Sequence, residues 1–383
     1  MMTTLLACFL LAGVAAILQD EGGATEQRAA GGGGAAKPDA NLPTVRLRDA
    51  PTLRFRGAGG PEASYAGETD CNSPAHWDGD TLFIFNSAGH PWRSSGPDLF
   101  HQDQSHQAVQ FDNQVNGGRW FESTYRDEDG TLYGWYHNEP GGVCPDRADA
   151  RHLTAPRIGC ARSTDNGATW HDLGFVMEAP PNSLHCAETK NHYFAGGNGD
   201  FSVLLDAKKE FFYFFISTYG DFAEQGVSVA RMRCADRANP VGKVWKWHKG
   251  KWEEPGLGGH LTPIFPAKVD WHREDADAFW GPSIHWNHHL QQYVILLNRA
   301  KDKDWAQEGI YVTFNRDIAN PNGWSPPQKL ALPESALGWY PQVMGLDRAQ
   351  RETDKLAGRV ARLFIRGESR WEILFLKPGE PPE

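Results

Sequence analysis

The stretch CARSTDNGATW, residues 160–170, joins one strand-like run to another through a polar turn. Asp165 can fold its carboxylate back onto the backbone N–H groups of the turn, as aspartates in Asx turns do. Gly167 can supply a positive φ that a residue with a Cβ atom would resist. Thr169 and Trp170 then begin a second run, because β-branched and aromatic side chains pack well in strands. The stretch therefore predicts a strand, a tight turn and a second strand.

The spacing Ser-x-Asp-x-Gly-x-Thr-Trp at residues 163–170 resembles the Asp box of sialidases and other propeller proteins. In that family the box lies between the third and fourth strands of a blade, away from the active site. The resemblance implies a propeller fold and a structural role for this turn. It says almost nothing about function.

A plan of strand, polar turn and strand recurs along the chain, as the blades of a propeller require. The copies lie at residues 70–87, 122–139, 200–218, 280–298 and, in a poorer form, 340–377. The strand-like run at 45–57 is left over and could close the ring by joining the last blade. The sequence thus predicts an all-β protein, a five-bladed β-propeller. A β-sandwich would not explain the repeated placement of the turns.

The composition agrees with many short strands and excludes one class of partner. The 383 residues include 15 Trp, 20 Phe, 10 Tyr, 41 Gly and 25 Pro, a mixture typical of short strands joined by tight turns. The net charge is −10, and no basic run occurs anywhere in the chain. A nucleic-acid partner would need clustered Lys and Arg, so we expect none.

The N-terminal region is predicted to direct export. The apolar run from Leu5 to Leu18 suits a signal peptide and is shorter than the roughly 20 residues that span a bilayer. We therefore predict a signal peptide at 1–18, a disordered Gly/Ala-rich linker at 19–43 and a propeller domain at 44–383. We expect an exported (periplasmic or extracellular) monomer without a membrane span.

The cysteines leave the disulfide pattern open. Apart from Cys8 in the predicted signal, five remain, an odd number that cannot form a closed framework: Cys71, Cys144, Cys160, Cys186 and Cys234. Cys144 and Cys160 are the nearest pair in sequence and could form a bridge. Free thiols packing as small hydrophobic side chains are an equally open alternative.

Aligning the turns of the repeats aligns the residues that open each inner strand and ring the channel. Counting back from the turns gives Asp70, Glu122, Asp200, Trp280 and Tyr340 at equivalent places. Carboxyl groups and aromatic faces at one mouth suit glycoside hydrolysis, which needs an acid, a base and stacking on the sugar ring. Alternatively, an acid at a strand entrance only caps a turn.

The acids that open the first and third inner strands give the chain a second resemblance. It resembles the arabinanase and β-xylosidase-type glycoside hydrolases, and the invertase-type ones, which also have five blades. This resemblance implies that Asp70 is the base or nucleophile and that Asp200 positions Asp70 and tunes its pKa. Where the family has Glu-Gly-Pro in blade four, this chain has Trp280-Gly281-Pro282. The catalytic acid must therefore come from Glu122 or Asp277, or be absent.

We predict a glycoside hydrolase acting on an oligo- or polysaccharide, with Asp70 as general base, Glu122 as general acid and Asp200 orienting Asp70. An inverting mechanism would place Asp70 and Glu122 roughly 6.5–9.5 Å apart. The residues expected to contact the carbohydrate are His76, Asp277, Trp280, Trp339 and Tyr340. The histidines do not follow a metal-binding spacing, so neither a metal nor a cofactor is expected.

Two alternatives stay open at this point. The missing blade-four glutamate favours a non-catalytic carbohydrate-binding propeller. An atypical sialidase would use Arg54 or Arg56, Arg366 and Tyr340, but its third arginine has no clear place and sialidases usually have six blades.

Overall fold

The computed structural model describes residues 41–59, 69–147 and 152–381. The predicted signal peptide and nearly all of the predicted linker lie outside these ranges. The strands in chain order are β1 Thr44–Arg54, β2 Ala75–Asp78, β3 Thr81–Ser87, β4 Pro91–Gly96, β5 Ser105–Ala108, β6 Gln110–Phe111, β7 Gly118–Arg126, β8 Leu132–Glu139, β9 Arg157–Ser163, β10 Thr169–Met177, β11 Asn198–Leu205, β12 Phe211–Thr218, β13 Gly226–Arg233, β14 Val244–His248, β15 Lys251–Pro255, β16 Phe265–Pro266, β17 Ala278–Asn287, β18 Gln292–Ala300, β19 Gln307–Asn315, β20 Gln328–Lys329, β21 Gln342–Gly345, β22 Leu356–Ala357, β23 Val360–Ile365 and β24 Glu368–Leu376. Short 3-10 helices lie at Phe222–Glu224, Cys234–Asp236 and Glu334–Ala336.

These strands form the five blades of a β-propeller, which confirms the predicted fold. Blade one is β2-β3-β4-β5, and blade two is β7-β8-β9-β10 with β6 on its edge. Blade three is β11-β12-β13-β14-β15 with β16 beside β13, and blade four is β17-β18-β19-β20 with β22 beside β17. Blade five is β21-β23-β24-β1. None of the helices in the described ranges is long and apolar enough to cross a membrane.

The ring closes through β1, as the leftover run at 45–57 predicted. β1 pairs antiparallel with β24, from Thr44 opposite Leu376 to Arg54 opposite Glu368. The last blade therefore takes its outermost strand from the start of the propeller domain. This pairing ties the two ends of the domain together.

Each blade packs on its neighbour through its own apolar cluster. One residue pair illustrates each interface: Phe85 and Phe121 between blades one and two, Trp135 and Phe212 between two and three, Phe215 and Ile295 between three and four, Val294 and Ile373 between four and five, and Ile84 and Phe364 between five and one. These clusters hold the inner strands β2, β7, β11, β17 and β21 around a central channel. The hydrophobic core is thus shared among five interfaces between blades.

The turn at residues 163–170 joins the third and fourth strands of blade two and makes the predicted hydrogen bonds. The Asp165 carboxylate accepts the backbone N–H groups of Ala168 and Thr169 at 3.0 Å each and the Ser163 hydroxyl at 2.7 Å. The Trp170 indole packs 4.4 Å from the Phe121 ring, between centroids, in the cluster between blades one and two. The turn therefore anchors a blade interface.

Replacing Asp165 with alanine is expected to lower the free energy of unfolding by about 1–3 kcal/mol, because several donors of the turn lose their acceptor. Chemical denaturation compared with wild type measures this loss. The loss should be confined to stability, since Asp165 is exposed and the hydrogen bonds of its carboxylate stay within residues 163–169. Unchanged stability of the variant would contradict the structural role.

The disulfide differs from the pair suggested by sequence proximity. Cys144 bonds to Cys186, 42 residues further along the chain. Cys160 is a free thiol, buried in β9 opposite Trp135. The possible Cys144–Cys160 bridge is therefore wrong. Strand β9 directs this side chain into the core between blades two and three.

Candidate functional site

Glu122 and Asp200 lie at β-bulges in the inner strands of blades two and three. The strand register shifts between Phe121 and Ser123 in blade two and between Gly199 and Phe201 in blade three. In each case one extra residue is inserted opposite the second strand. A bulge leaves that residue unpaired and redirects its side chain. This local geometry places both carboxyl groups in the channel cluster described below.

A hydrogen bond between blades repeats at the entrance of the later inner strands. The backbone N–H of Asp200 donates to His137 Nδ1 at 3.0 Å, that of Gly281 to Ser217 Oγ at 2.9 Å and that of Tyr340 to Asn298 Oδ1 at 2.9 Å. All three donors have positive φ, namely 41°, 56° and 54°. Gly281 is therefore the blade-four counterpart of Asp200.

The predicted register of Trp280 is thus wrong by one residue. The register shift in blade four falls between Trp280 and Ser283, so Trp280 still pairs with Asn298 before the bulge. Its indole is fully buried and stands edge-on to Trp305, with ring centroids 4.5 Å apart. The position that carries a carboxylate in blade three carries a glycine in blade four.

Glu122, His137 and Asp200 form a buried cluster in the channel. His137 Nδ1 lies 3.6 Å from Glu122 Oε1 and 3.9 Å from Asp200 Oδ1, while its Nε2 lies 3.1 Å from Glu139 Oε1. Because Nδ1 accepts the Asp200 N–H, the proton of the neutral ring lies on Nε2 and is donated to Glu139. Burial lowers the pKa of His137, but the surrounding carboxylates outweigh it and raise that pKa well above its usual value. In the protonated ring Nδ1 also carries a proton, so the Asp200 N–H then loses this acceptor.

Burial and hydrogen bonds also set the protonation of the two acids in the cluster. Burial raises the pKa of Glu122, although His137 and the Asn72 N–H, 3.2 Å from Oε2, favour its charged form. Burial raises the pKa of Asp200 to about 7 against the opposing charge of His137. The Tyr219 hydroxyl donates to Asp200 Oδ2. The two carboxyl groups and the imidazole of this cluster therefore compete for protons.

Asp70 and Glu139 are the acids of this region that solvent reaches. Asp70 is partly exposed, and the Glu139 side chain keeps 31% of its surface exposed. Burial and the charge of Glu139 raise the pKa of Asp70 to about 7, against the charges of His137 and Arg366. An acid with a pKa near 7 can donate or accept a proton at physiological pH.

Aromatic side chains surround this pair of acids. Trp120 is half-buried beside Asp70, and its ring lies 5.5 Å from that of His137. Trp339 is half-buried under the Arg366 guanidinium, which lies 5.4 Å from its ring. Tyr340 is 9% exposed, and burial together with Asp200, Asp70 and Glu122 raises its pKa well above the usual value. Indole faces beside carboxyl groups are suited to stacking on sugar rings.

The structure brings Asp70, Glu122, Asp200 and Tyr340 into one region. Trp339 adjoins this region, because its ring packs under Arg366, whose charge acts on Asp70. Trp280 is buried against Tyr340 and Trp339, with ring centroids 5.5 and 6.1 Å away, whereas His76 and Asp277 lie elsewhere. His76 is buried against the Phe83 and Phe85 rings, six residues along the chain from Asp70 and towards the opposite end of the channel.

Asp277 is held by Arg299, whose Nε and Nη2 donate to its two oxygens at 2.6 Å each. A carboxylate fixed in this way is already neutralised by its partner. The structure therefore gives Asp277 an ion-pairing role, and it does not supply the missing blade-four acid.

His137 and Glu139 are members of the site that the sequence analysis missed. They lie two residues apart on β8, so their side chains share a face of the strand. This alternation is visible in the sequence YHNE, residues 136–139. Asn72 and Tyr219 were also missed, because only the folded ring brings them to Glu122 and Asp200.

A cation could be considered at Glu122, His137 and Asp200, since one ligand atom from each lies within 4.8 Å of the others. The available histidine atom is Nδ1, and it already accepts the Asp200 N–H. A metal would have to displace that hydrogen bond at the bulge. The arrangement as it stands satisfies the imidazole through protein hydrogen bonds.

Comparisons with known proteins give similarities at the level of the fold. No protein-family model matches the chain, and no curated protein sequence matches it. An exo-β-1,3-galactanase of Phanerochaete chrysosporium, solved with β-1,3-galactotriose, is 12% identical with a TM-score of 0.45. The alignment covers 85% of this chain and 64% of that protein, so the chain spans less than two thirds of its length.

Two further structures are similar over most of both chains. The arabinanase of Bacillus subtilis is 12% identical with a TM-score of 0.44, and the alignment covers 80% of this chain and 94% of that one. The catalytic domain of a family 62 α-L-arabinofuranosidase from Coprinopsis cinerea is 9% identical with a TM-score of 0.48, over 88% of this chain and 98% of that one.

Proposed function

We propose that the protein hydrolyses glycosidic bonds of an oligo- or polysaccharide at the mouth formed by Asp70, Glu139, Trp120 and Trp339. One observation carries this proposal. Two acids from neighbouring blades, both reached by solvent, lie close together, and burial together with the charge of Glu139 raises the pKa of Asp70 to about 7. A protonatable acid beside a second carboxyl group is what acid–base hydrolysis requires.

In this mechanism Asp70 is the general acid. It gives its proton to the glycosidic oxygen as the bond from that oxygen to the anomeric carbon breaks. Glu139 accepts a proton from a water molecule, whose oxygen bonds to the anomeric carbon. Asp70 was expected from the sequence to be the base, but burial and the negative charge of Glu139 favour its protonated form.

Glu122 and Asp200 then act as positioning residues. Glu122 has no exposed surface and Asp200 is 3% exposed, so neither reaches a substrate in this conformation. Both carboxyl groups instead surround the His137 ring, and His137 Nε2 donates to Glu139. Through this hydrogen bond the buried cluster orients the proposed base, while the general acid role expected for Glu122 passes to Asp70.

A carbohydrate-binding propeller without catalysis is the second candidate, and Gly281 favours it. This glycine occupies the blade-four counterpart of Asp200, so that blade contributes no carboxylate at its bulge. Assaying the purified protein on a panel of polysaccharides and nitrophenyl glycosides separates the candidates. Release of reducing ends supports hydrolysis, whereas binding in affinity electrophoresis without product supports the lectin-like function.

We also propose that the protein is exported. The apolar run at residues 5–18 and the Cys144–Cys186 disulfide support this, because disulfides persist in oxidising compartments. Mass spectrometry of the protein from its native source is expected to give an N-terminus near residue 17. An intact Met1 on a cytoplasmic protein would contradict export.

A further inference from the structure

A second cavity lies at the end of the inner strands opposite the acid cluster. It has a volume of about 420 Å³ and is formed by blades one, two and three together with the loop between β21 and β22. Arg126, on its wall, follows Glu122 by four residues on β7, a separation of roughly 13 Å along a strand. A cavity of this size suits a small organic molecule.

The side chains that line this cavity carry positive charge. Arg126, Arg351 and Lys355 line it, and no aspartate or glutamate does so among the described residues. Arg126 pairs with Asp78 at 2.7 Å and Lys355 with Asp354 at 3.1 Å.

Arg351 is the cation of this cavity that is left to a ligand. Its guanidinium has no carboxylate within 4.0 Å in the part of the chain that the structure describes, and it donates to the backbone oxygen of Gly79. A guanidinium presents five N–H donors in a planar fork, so the bond to Gly79 leaves donors for an oxyanion.

The remaining wall is apolar and partly open to the cavity. Trp77, Tyr125 and Leu205 line it and are each half-buried. The Trp77 ring also lies 5.4 Å from the Arg351 guanidinium, so a flat surface adjoins the unpaired cation. A ligand that fits must therefore combine an acidic group with an apolar body.

We propose that this cavity binds a small organic anion, whose acidic group contacts Arg351 and whose apolar body packs against Trp77 and Leu205. The site is separate from the acid cluster and does not depend on the proposed hydrolytic function. The recognition is electrostatic at one end and hydrophobic at the other, so neither half of the ligand suffices alone.

Isothermal titration calorimetry with four probes tests this proposal on the intact protein: 2-naphthoate, its neutral amide 2-naphthamide, acetate and glucuronate. The naphthoate is expected to bind at least about tenfold more tightly than each of the others, because a hydrogen bond to a charged group contributes roughly 1.5–3 kcal/mol. Binding of the amide or of glucuronate as tight as that of naphthoate, or no naphthoate binding at all, would overturn the proposal.

The variant Arg351→Gln should weaken naphthoate binding about tenfold or more and leave the weak binding of the amide unchanged. Arg351 is an exposed residue, and an unchanged melting temperature confirms that the variant folds. Arg370→Gln is the matched control, since Arg370 is exposed on β24 and pairs with Glu368. Equal affinity of the wild type and Arg351→Gln for naphthoate would assign the binding to another surface.

Discussion

Replacing Asp70 with asparagine is expected to lower kcat/KM by a factor of about 10²–10⁴ on a glycoside that the wild type hydrolyses. The amide has nearly the shape of the carboxyl group but cannot give a proton to the leaving oxygen. Initial rates on the best substrate of the panel measure the loss. Asp49→Asn, a change of the same type at an exposed position of β1, should retain full activity.

Activity that survives Asp70→Asn would remove Asp70 from the mechanism. A substrate with a good leaving group, such as a dinitrophenyl glycoside, sharpens the result, because it needs little help from an acid. The variant should then lose less activity on this substrate than on a natural glycoside. Equal losses on both would indicate that Asp70 acts as a base or in binding.

The pH profile tests the same assignment. The raised pKa of Asp70, about 7, keeps this carboxyl protonated below neutral pH. As general acid it must carry its proton, so kcat/KM should fall as the pH rises through about 7. A rise through the same range would make Asp70 the base, as the sequence analysis first assigned it.

Glu139→Gln removes a negative charge beside Asp70, so the carboxyl ¹³C resonance of Asp70 should titrate at lower pH in that variant.

The repeated turns made the fold predictable. The Asp78-Gly79, Asp129-Gly130 and Asn287–His289 turns occupy the same place in blades one, two and four, and the structure has a hairpin at each of them. The closing strand β1 was predictable as well, because a strand-like run outside the repeats needs a partner. Both predictions rest on the residue types found in turns and strands and on counting the residues between the turns.

Counting failed in blade four, although blades two and three carry bulges of the same kind. The register of blade four shifts between Trp280 and Ser283, and no feature of Trp280-Gly281-Pro282 alone reveals which residue is displaced. His137 and Glu139 were missed for a different reason. The alternation on β8 shows that they share a face, but only the ring shows that this face meets Asp200 of the next blade. The partner of Cys144 lies in a distant loop and could not be chosen by proximity in sequence.

Replacing His137 with alanine is expected to destabilise the protein by about 3–5 kcal/mol, the usual cost of leaving a buried charge without its partner. Glu122 and Asp200 would face each other without the imidazole between them. Urea unfolding at pH 7 measures the change. His192→Ala is the control, because the His192 side chain is 65% exposed and pairs with the equally accessible Asp304.

The pH dependence of that loss identifies its cause. Burial raises the pKa of Glu122 and of Asp200, so both carboxyl groups take up protons in the folded state as the pH falls. The neutral acids need no cationic partner, and below about pH 6.5 His137 is protonated in the unfolded chain as well, so the penalty of His137→Ala should shrink between pH 6.5 and pH 5. Adding Glu122→Gln to His137→Ala should recover part of the stability at pH 8, since it removes one of the two unpaired charges. A penalty that stays constant across this range, and that Glu122→Gln does not reduce, would mean that His137 contributes by packing against Trp120 and Phe194 instead of by holding the buried carboxylates.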